Sequence, residues 1–228
     1  MRQHAEHLGA QQRESLERDG YLLVPSLLDE TVLGRITSRL EELVSRTVAA
    51  WAAEPGLVAE QPEGGGVVYA KLESALADPD FAPCCKHPLL AEAATAVLGR
   101  DWYSGGGLGV RVPLPGNGHQ GLHADFAQRR TDGPWQTLSA IWCITAFTPD
   151  NGPLRVIPGS HRVSEPPIDM QAWGSGMGPH PDEVKIVAPA GSVILFNSAD
   201  LWHSGTHNYS PAPRLAVTAG FGPGNPSC

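Results

Sequence analysis

The sequence predicts a mainly β fold that is preceded by helices. Helical spacing of apolar residues occurs before residue 100, and after Gly99 short apolar runs alternate with clusters of turn-forming residues. The chain contains 26 glycines and 21 prolines, which indicates many turns between short segments. We therefore predict a single domain, with a mainly helical part over residues 1–99 followed by a β-sandwich or barrel over residues 100–222.

The first two predicted elements are short. Residues 9–19 are polar and can form a helix that ends at Gly20, because glycine adopts the left-handed conformation of a helix C-terminus without strain. The apolar segment YLLVPSLL, residues 21–28, is predicted to be extended. Pro25 ends it, since proline has no amide hydrogen to donate to a neighbouring strand.

Two longer helices follow. The clearest spans residues 29–53, where Asp29 can cap the free amide groups of the first turn. Its apolar face is formed by residues at helical spacing, namely Leu33, Ile36, Leu40, Leu43 and Val44. Residues 87–99 have a similar apolar pattern, and Gly99 stands at the expected C-cap position.

The remainder of the chain shows the pattern expected for a series of short β-strands. Six apolar segments are separated by turn residues: GLGVRVPLPGNG, QTLSAIWCITAF, GPLRVIPGSH, EVKIVAPAG, SVILFNSADLWH and RLAVTAGF. The Asn-Gly pair in DNGP, residues 150–153, lies between two of them and predicts a β-hairpin. Residues 163–182 show no periodicity and are predicted to form a long loop of the kind that often covers a binding site.

Composition excludes several classes of protein. The 228 residues are 41% apolar and 18% charged, with a net charge of -8, which is typical of a globular protein and argues against a nucleic-acid or anionic-membrane partner. No apolar run approaches the ~20 residues that cross a membrane, and the polar N-terminus has no apolar signal core. The four cysteines match neither a disulfide framework nor a zinc motif, which predicts a reducing, cytoplasmic location.

A metal site is suggested by GLHADF, residues 121–126. His123 precedes Asp125 by two residues, so on a strand both side chains would point to the same face. Such a pair is common by chance, but a later apolar strand leads into His203, which can supply a third ligand. Two histidines and one carboxylate form the facial triad of non-haem iron(II) oxygenases, and some zinc enzymes use the same ligand types.

An arginine near the C-terminus strengthens this interpretation. Arg214 opens the strand RLAVTAGF, where Ala216 and Thr218 share its face while Leu215 and Val217 face the other side. If Arg214 points inward, the small residues beside it leave a cavity with a guanidinium at one end. Such a group binds carboxylates through two parallel hydrogen bonds, which suits a dicarboxylate whose other end chelates a metal.

Three motifs in this order, HQGLHADF, DNGPLRVIPGSH and WHSGTHNYSPAPR, resemble the phytanoyl-CoA dioxygenase family of iron(II)- and 2-oxoglutarate-dependent oxygenases. The segment ERDGYLLVPSLLDE resembles the opening of the family, so the likeness extends from about residue 15 to residue 221. The resemblance implies a double-stranded β-helix (a jelly roll) with helices packed on one sheet. It maps the metal ligands onto His123, Asp125 and His203, and the anchor of the 2-oxoglutarate carboxylate onto Arg214.

The resemblance also implies secondary positions. Gln120 and Lys71 are candidate contacts of 2-oxoglutarate, although each could equally be a solvated polar residue. Asn208 and Ser210 match the polar positions between the second histidine and the arginine.

Other residues compete for these roles. His119 begins an H-x-G pattern like that of the related halogenases, but it lies in a turn just before the complete H-x-D motif. We expect His161 to be a structural turn residue and His207 to lie outside the metal site. Trp142 and Cys143 belong to a strand that is apolar on both faces, so burial explains both of them.

The implied activity is oxidation of an unactivated C–H bond of a small molecule, in the simplest case hydroxylation, with iron(II) as cofactor and 2-oxoglutarate and O2 as cosubstrates. A small molecule of specialised metabolism is the expected substrate. The alternative is a metal-binding jelly-roll protein without redox activity, which would have no need for Arg214. Residues proposed to contact the substrate are Tyr69, Phe126, Arg129, Arg130, Trp135, Arg155 and Trp173.

Overall fold

In a computed structural model of the chain, two antiparallel sheets enclose a cluster of buried side chains, and helices cover the outer face of the larger sheet. The structure describes residues 7–53, 66–72, 79–164 and 178–224. The helices are α1 (Ala10–Asp19), α2 (Glu30–Ala53), α3 (Pro83–Lys86) and α4 (Pro88–Leu98). The strands are β1 (Tyr21–Val24), β2 (Val67–Leu72), β3 (Trp102–Pro113), β4 (Leu138–Cys143), β5 (Leu154–Val156), β6 (Val184–Lys185), β7 (Ser192–Phe196), β8 (His203–Gly205) and β9 (Ala216–Pro223).

All three predicted helices are confirmed, within a residue or so of their predicted ends. Gly20 terminates α1 with a φ of 79°, and its amide donates to the carbonyl of Leu16. The Asp29 carboxylate accepts a hydrogen bond from the amide of Val32 at 2.8 Å, as the capping prediction requires. Ile36 and Leu40 are fully buried against the larger sheet, so the apolar face of α2 explains its position.

The larger sheet has six strands in the order β1-β7-β4-β9-β3-β2, and the smaller has three in the order β6-β5-β8. Both edge strands of the larger sheet come from the part of the chain that was predicted to be mainly helical. The strand β1 was predicted as an extended segment, whereas β2 was not predicted. It pairs with β3 along its whole length, from Val67 opposite Pro113 to Leu72 opposite Leu108.

The central strand β4 is covered by helices on one side and faces the smaller sheet on the other, where Ser139 and Ile141 are half-buried beside the cavity between the sheets. Leu138, Ala140 and Trp142 point toward the helices, where the Trp142 indole donates to the carbonyl of Cys84 at 2.8 Å. Cys143 points toward the smaller sheet and is a fully buried free thiol. The assignment of Trp142 and Cys143 to the core is therefore confirmed.

The predicted hairpin at residues 150–153 is wrong. The strands on either side of it, β4 and β5, lie in different sheets, so this segment carries the chain from one sheet to the other. The segment nevertheless forms a turn, because Gly152 has a left-handed φ of 80°. The side-chain amide of Asn151 donates to the carbonyl of Ala146 and accepts from the amide of Thr148. An Asn-Gly pair predicts a turn but does not determine which strands pair beyond it.

Two further expectations concern the remainder of the chain. Residues 163–164 and 178–182 have no regular secondary structure, and residues 165–177 of the predicted long loop lie outside the described residues. Within the described ranges, none of the helices is long and apolar enough to cross a membrane.

Candidate metal centre

The main chain brings His123 and His203 side by side. The amide of His123 donates to the carbonyl of His203 at 3.0 Å, and the reverse bond measures 2.8 Å. This single antiparallel bridge attaches the loop of His123 to the free edge of β8, so the two imidazole rings lie with centroids 4.6 Å apart. His123 was expected on a strand, and the structure instead gives it one bridge followed by a bend at Asp125.

Asp125 completes the cluster. Its amide donates to the carbonyl of Ser198 at 2.9 Å, which directs the chain back toward the histidines. Its Oδ1 lies 3.5 Å from Nε2 of His123 and 3.7 Å from Nε2 of His203. One ligand atom from each of the three residues lies within 4.8 Å of the others, which is a spacing that can hold a metal ion.

The hydrogen bonds of both histidines suit metal binding. Nδ1 of His123 lies 2.8 Å from the carbonyl of Gly121, and Nδ1 of His203 lies 2.8 Å from the carbonyl of Leu201. A carbonyl only accepts hydrogen bonds, so each Nδ1 carries the proton and each Nε2 presents its lone pair to the cluster. Metal-binding histidines are commonly oriented in this way.

The electrostatics of the cluster also fit a cation. Burial, followed by the nearby charge of His123, lowers the pKa of His203 to about 4, which leaves this imidazole neutral. Burial opposes ionisation of Asp125, but its contacts with both histidines hold the pKa of the carboxyl below its usual value. The hydrogen bond with Asp125 raises the pKa of His123. A divalent cation would take the place of the proton that the histidines and the carboxylate otherwise compete for.

Arg214 lies at the other end of the same cavity. It is only 3% exposed, its guanidinium carbon lies 4.1 Å from the centre of the Phe147 ring, and its Nε has no hydrogen-bond partner among the described residues. Burial, followed by the charge of Arg111, lowers its pKa, but a guanidinium remains protonated in proteins. Among the described residues Arg214 has no ion pair with a carboxylate, and a buried cation in that situation favours a bound anion.

The predicted alternation of β9 is confirmed, because Ala216 and Thr218 share the cavity with Arg214 while Leu215 and Val217 pack under the helices. The cavity measures about 260 Å³ and lies between the two sheets. Small side chains on β9 therefore leave space between the guanidinium and the metal cluster, as the sequence suggested.

Gln120 also lines the cavity. Its side-chain oxygen accepts a hydrogen bond from the amide of Gly205 at 3.2 Å, which ties the loop before His123 to β8. Lys71 lies on β2 opposite Gly109, and its side chain is outside the described part of the structure. Asn208 is fully buried and its amide donates to the carbonyls of Pro113 and Ala212, so it shapes the turn before Arg214.

Most of the proposed substrate contacts lie elsewhere, and Trp173 lies outside the described residues. Of the others, Tyr69 lines the cavity. Arg130 and Trp135 line a second cavity, and Arg129 donates to the carbonyls of Ser160 and Asp200. Phe126 is partly exposed and is not among the described lining residues of the metal cavity.

Arg155 was expected near the cavity mouth but is 2% exposed, within β5. Its guanidinium donates to the Ser204 hydroxyl at 2.6 Å, to the Gln120 carbonyl at 3.2 Å and to the Glu183 carboxylate at 2.8 Å. These bonds give Arg155 a structural role behind the metal cluster, because they connect the two segments that carry the histidines. The sequence could not reveal this, since Glu183 is distant in the chain.

The competing histidines stay outside the cluster. Nε2 of His161 bonds the carbonyl of Glu17 at 3.0 Å, which confirms a structural role in the turn after β5. His207 packs against Tyr209, with ring centroids 4.3 Å apart. Among the described residues, the group of three potential ligands does not include His119.

Arg111 is a cavity residue that the sequence analysis did not identify. It lies on β3 between Val110 and Val112, which are buried under the helices, so strand alternation directs Arg111 into the cavity. The signal was present in GLGVRVPLPG, where Leu108, Val110 and Val112 alternate along the strand and the arginine lies on the opposite face.

The chain is similar in sequence to a known protein family and to curated dioxygenases. A sequence model of the phytanoyl-CoA dioxygenase (PhyH) family matches residues 16–216. Ectoine dioxygenase of Bordetella parapertussis is 28% identical over 242 residues, which cover 93% of this chain and 75% of that protein. Dioxygenase trt7 of Aspergillus terreus is 29% identical over 216 residues, which cover 91% of this chain and 71% of that protein.

Solved structures share the fold. HygX from Streptomyces hygroscopicus, with nickel, 2-oxoglutarate and hygromycin B bound, matches with a TM-score of 0.69 and 18% identity over 95% of this chain and 88% of that chain. EctD from S. alaskensis matches with a TM-score of 0.65 and 23% identity over 94% of this chain and 77% of that chain. These likenesses confirm the predicted double-stranded β-helix with N-terminal helices.

Proposed function

Because this chain belongs to the phytanoyl-CoA dioxygenase family, we propose that the cavity between its two sheets is the active site and that His123, Asp125 and His203 hold the metal. The protein is an iron(II)- and 2-oxoglutarate-dependent oxygenase, with 2-oxoglutarate and O2 as cosubstrates. The observation that carries the site assignment is the convergence of three ligand atoms within 4.8 Å, in the same cavity as a buried arginine.

The chain's own residues bind and orient the reactants. Bound iron(II) would supply the activation of O2 that is coupled to decarboxylation of 2-oxoglutarate. Arg214 pairs with the far carboxylate of 2-oxoglutarate, and the adjacent Phe147 ring excludes water from that ion pair. Gln120 and Lys71 stay predicted contacts of the cosubstrate.

We further propose that the reaction is hydroxylation of a C–H bond in a small molecule of specialised metabolism. Two likenesses support a small polar substrate: one relative is named ectoine dioxygenase, and HygX holds hygromycin B. A triad with a carboxylate favours hydroxylation, because Asp125 would hold the metal at the position that a halide would otherwise need.

The domain organisation and location complete the proposal. We propose a single domain, since β1 and β2 from the first 99 residues form the edges of the same sheet as the later strands. The cytoplasmic location follows from the cysteine usage and stays a prediction.

Oxygen consumption tests the function. Protein loaded with iron(II) should consume O2 and release succinate only when 2-oxoglutarate is present, and a true substrate from a library of small metabolites should accelerate both. The control is His203→Ala, which should show neither. If wild-type protein with bound iron neither consumed O2 nor released succinate with any member of the library, the assignment of this cavity as an oxygenase site would be wrong.

A further inference from the structure

Arg111 is a second cation in the cavity and stands beside the metal cluster. It lies on β3 directly opposite Tyr69 of β2. A Cβ added to Gly205 would come 2.7 Å from both terminal nitrogens of its guanidinium. Since Gly205 is two residues beyond His203 on β8, the guanidinium is positioned next to the proposed iron ligands.

The side chain of Arg111 is held in one orientation. Its Nε donates to the Tyr69 hydroxyl at 3.1 Å, and one terminal nitrogen donates to the carbonyl of Gly118 at 2.8 Å. Neither partner is a carboxylate, and the described residues include no ion pair to Arg111. The guanidinium is therefore fixed in place while its charge is left without a counter-ion from this part of the chain.

Formal charges indicate what the cavity still needs. Among the side chains that the structure describes, the proposed function places the Asp125 carboxylate and the Arg214 guanidinium in one cavity with iron(II) and the two negative charges of 2-oxoglutarate, and these charges sum to zero. Lys71, a predicted contact of the cosubstrate, would add positive charge and would not offset Arg111. Asp125 is the single acidic residue among the described residues that line it. The charge of Arg111 is then uncompensated, and in a half-buried site an uncompensated charge favours a bound anion.

We propose that Arg111, positioned by Tyr69, binds a carboxylate of the primary substrate, so that the enzyme acts on a small carboxylic acid. This inference rests on the proposed function and deepens it. A carboxylate supplies the one negative charge required and matches the planar guanidinium, whereas a phosphate would bring about 1.5 to 2 negative charges. Ile141, Leu154 and Phe196 line the space beside the metal cluster and suit an apolar carbon skeleton.

Tyr69 connects Arg111 to the protein surface. It is 57% exposed, although its hydroxyl reaches Arg111 inside the cavity. The pair thus lies between solvent and the metal cluster, whereas Arg214 is almost completely buried. This arrangement separates two carboxylate sites by depth, with the cosubstrate bound first at the inner one.

The test measures binding rather than turnover. Nickel-loaded protein saturated with 2-oxoglutarate is titrated with 4-fluorobenzoate and with 4-fluorobenzamide, and the fluorine NMR signal of each probe reports its affinity. The two probes share a ring and differ in charge. We expect the acid to bind about ten- to a hundredfold more tightly than the amide, because a charged hydrogen-bonded pair contributes that much.

Four variants test whether Arg111 and Tyr69 cause the preference for the acid probe. Arg111→Gln should abolish the preference for the acid, Arg111→Lys should retain part of it, and Tyr69→Phe should reduce it a few-fold. Arg130→Gln is the matched control, because Arg130 is exposed and lines a different cavity. It should leave the preference unchanged.

Three results of the probe titrations would overturn the proposal. The first is no preference for the acid in the wild type, including no detectable binding of either probe. The second is a preference that survives in Arg111→Gln, and the third is displacement of the acid by additional 2-oxoglutarate. Calorimetric titration of the wild type and of Arg111→Gln with nickel and 2-oxoglutarate distinguishes failure of the substrate proposal from failure of the proposed function. If Arg111→Gln binds nickel but has lost 2-oxoglutarate, Arg111 serves the cosubstrate and the substrate proposal is wrong. If the wild type binds no metal, the proposed function itself is wrong.

Discussion

The two histidine rings of the cluster are oriented by the chain before any metal is bound. In each case Nδ1 is held by the main-chain carbonyl two residues earlier, at 2.8 Å. This hydrogen bond orients His123, which lies in a loop, in the same way as His203, which lies on a strand. Because the rings cannot turn without breaking these bonds, little conformational entropy is lost when a metal binds.

Replacing either histidine should therefore remove the metal. We expect His123→Ala and His203→Ala each to weaken nickel or iron binding by more than about a hundredfold. Removing a group that only orients a metal ligand already lowers metal affinity about ten- to a hundredfold, and loss of the ligand itself should lower it further. Calorimetry and metal analysis of purified protein measure this. His207→Ala is the control, since His207 stacks on Tyr209 outside the cluster. Equal metal content in all three variants would contradict the ligand assignment.

Arg214→Lys should affect the cosubstrate alone. An ammonium group cannot form the two parallel hydrogen bonds of a guanidinium, so we expect the Kd of 2-oxoglutarate to rise at least about tenfold while metal affinity is unchanged. The measurement is titration of nickel-loaded protein with 2-oxoglutarate. An unaltered Kd would move the anchor to another residue, with Lys71 the next candidate.

The burial of His203 predicts a pH dependence of the metal-free protein. Its pKa is about 4 in the fold and ~6.5 in the unfolded chain, so the unfolded chain binds the additional proton between these values. Stability should fall as the pH falls from 6.5 toward 4, by about 2 kcal/mol from this group at pH 5. Urea unfolding at pH 7 and pH 5 measures it. His203→Ala should lose less stability between these pH values than the wild type, and an equal loss would contradict the prediction.

At the scale of the elements, the crossing from β4 to β5 depends on Gly152. Its φ is 80°, and an added Cβ would come 3.0 Å from the carbonyl oxygen of Thr206. Gly116 has a similar φ of 77° but open space around its Cα. The two positions therefore separate backbone strain from steric contact.

We expect Gly116→Ala to cost about 1 kcal/mol, the usual penalty of a left-handed residue with a side chain. Gly152→Ala should cost about 2 to 3 kcal/mol, because the Thr206 carbonyl must also move. Chemical denaturation of both variants measures the free energy of unfolding. If the two costs were equal, the contact with Thr206 would contribute nothing and strain alone would explain Gly152.

At the scale of the whole molecule, metal and cosubstrate should stabilise the fold in two steps. The proposed metal ligands lie on β8 of the smaller sheet and in the loop before β4, whereas the proposed cosubstrate anchor, Arg214, lies just before β9 of the larger sheet. A ligand at a hundred times its Kd adds about 2.7 kcal/mol, which raises the Tm of a domain of this size by about 5 to 10 °C. Nickel should give the first increase and 2-oxoglutarate the second, only with nickel present. Thermal melts of Arg214→Lys should keep the first and lose most of the second. An increase from 2-oxoglutarate alone would contradict this order.

The sequence by itself determined the helices, the mainly β character of the second half and the chemistry of the cluster. The Asp29 cap, the Gly20 terminus and the alternation around Arg214 are local features, because a helix period or a strand alternation depends on neighbours along the chain. His123 and Asp125 are visible in the same way, as a histidine two residues from a carboxylate. His203 is distant in the chain and was predicted from the apolar strand that leads into it and from the family resemblance.

Only the tertiary structure decided which segments meet. The strand β2 was missed because it is an edge strand whose pairing with β3 is invisible in its own residues. The segment at residues 150–153 connects two sheets instead of forming a hairpin, since pairing across a turn depends on what else covers each strand. Arg155 is buried for a related reason, because its carboxylate partner, Glu183, is distant in the chain and adjacent only after folding. The alternation of β3 indicated the face of Arg111, but its contact with Tyr69 was decided by the pairing of β2 with β3.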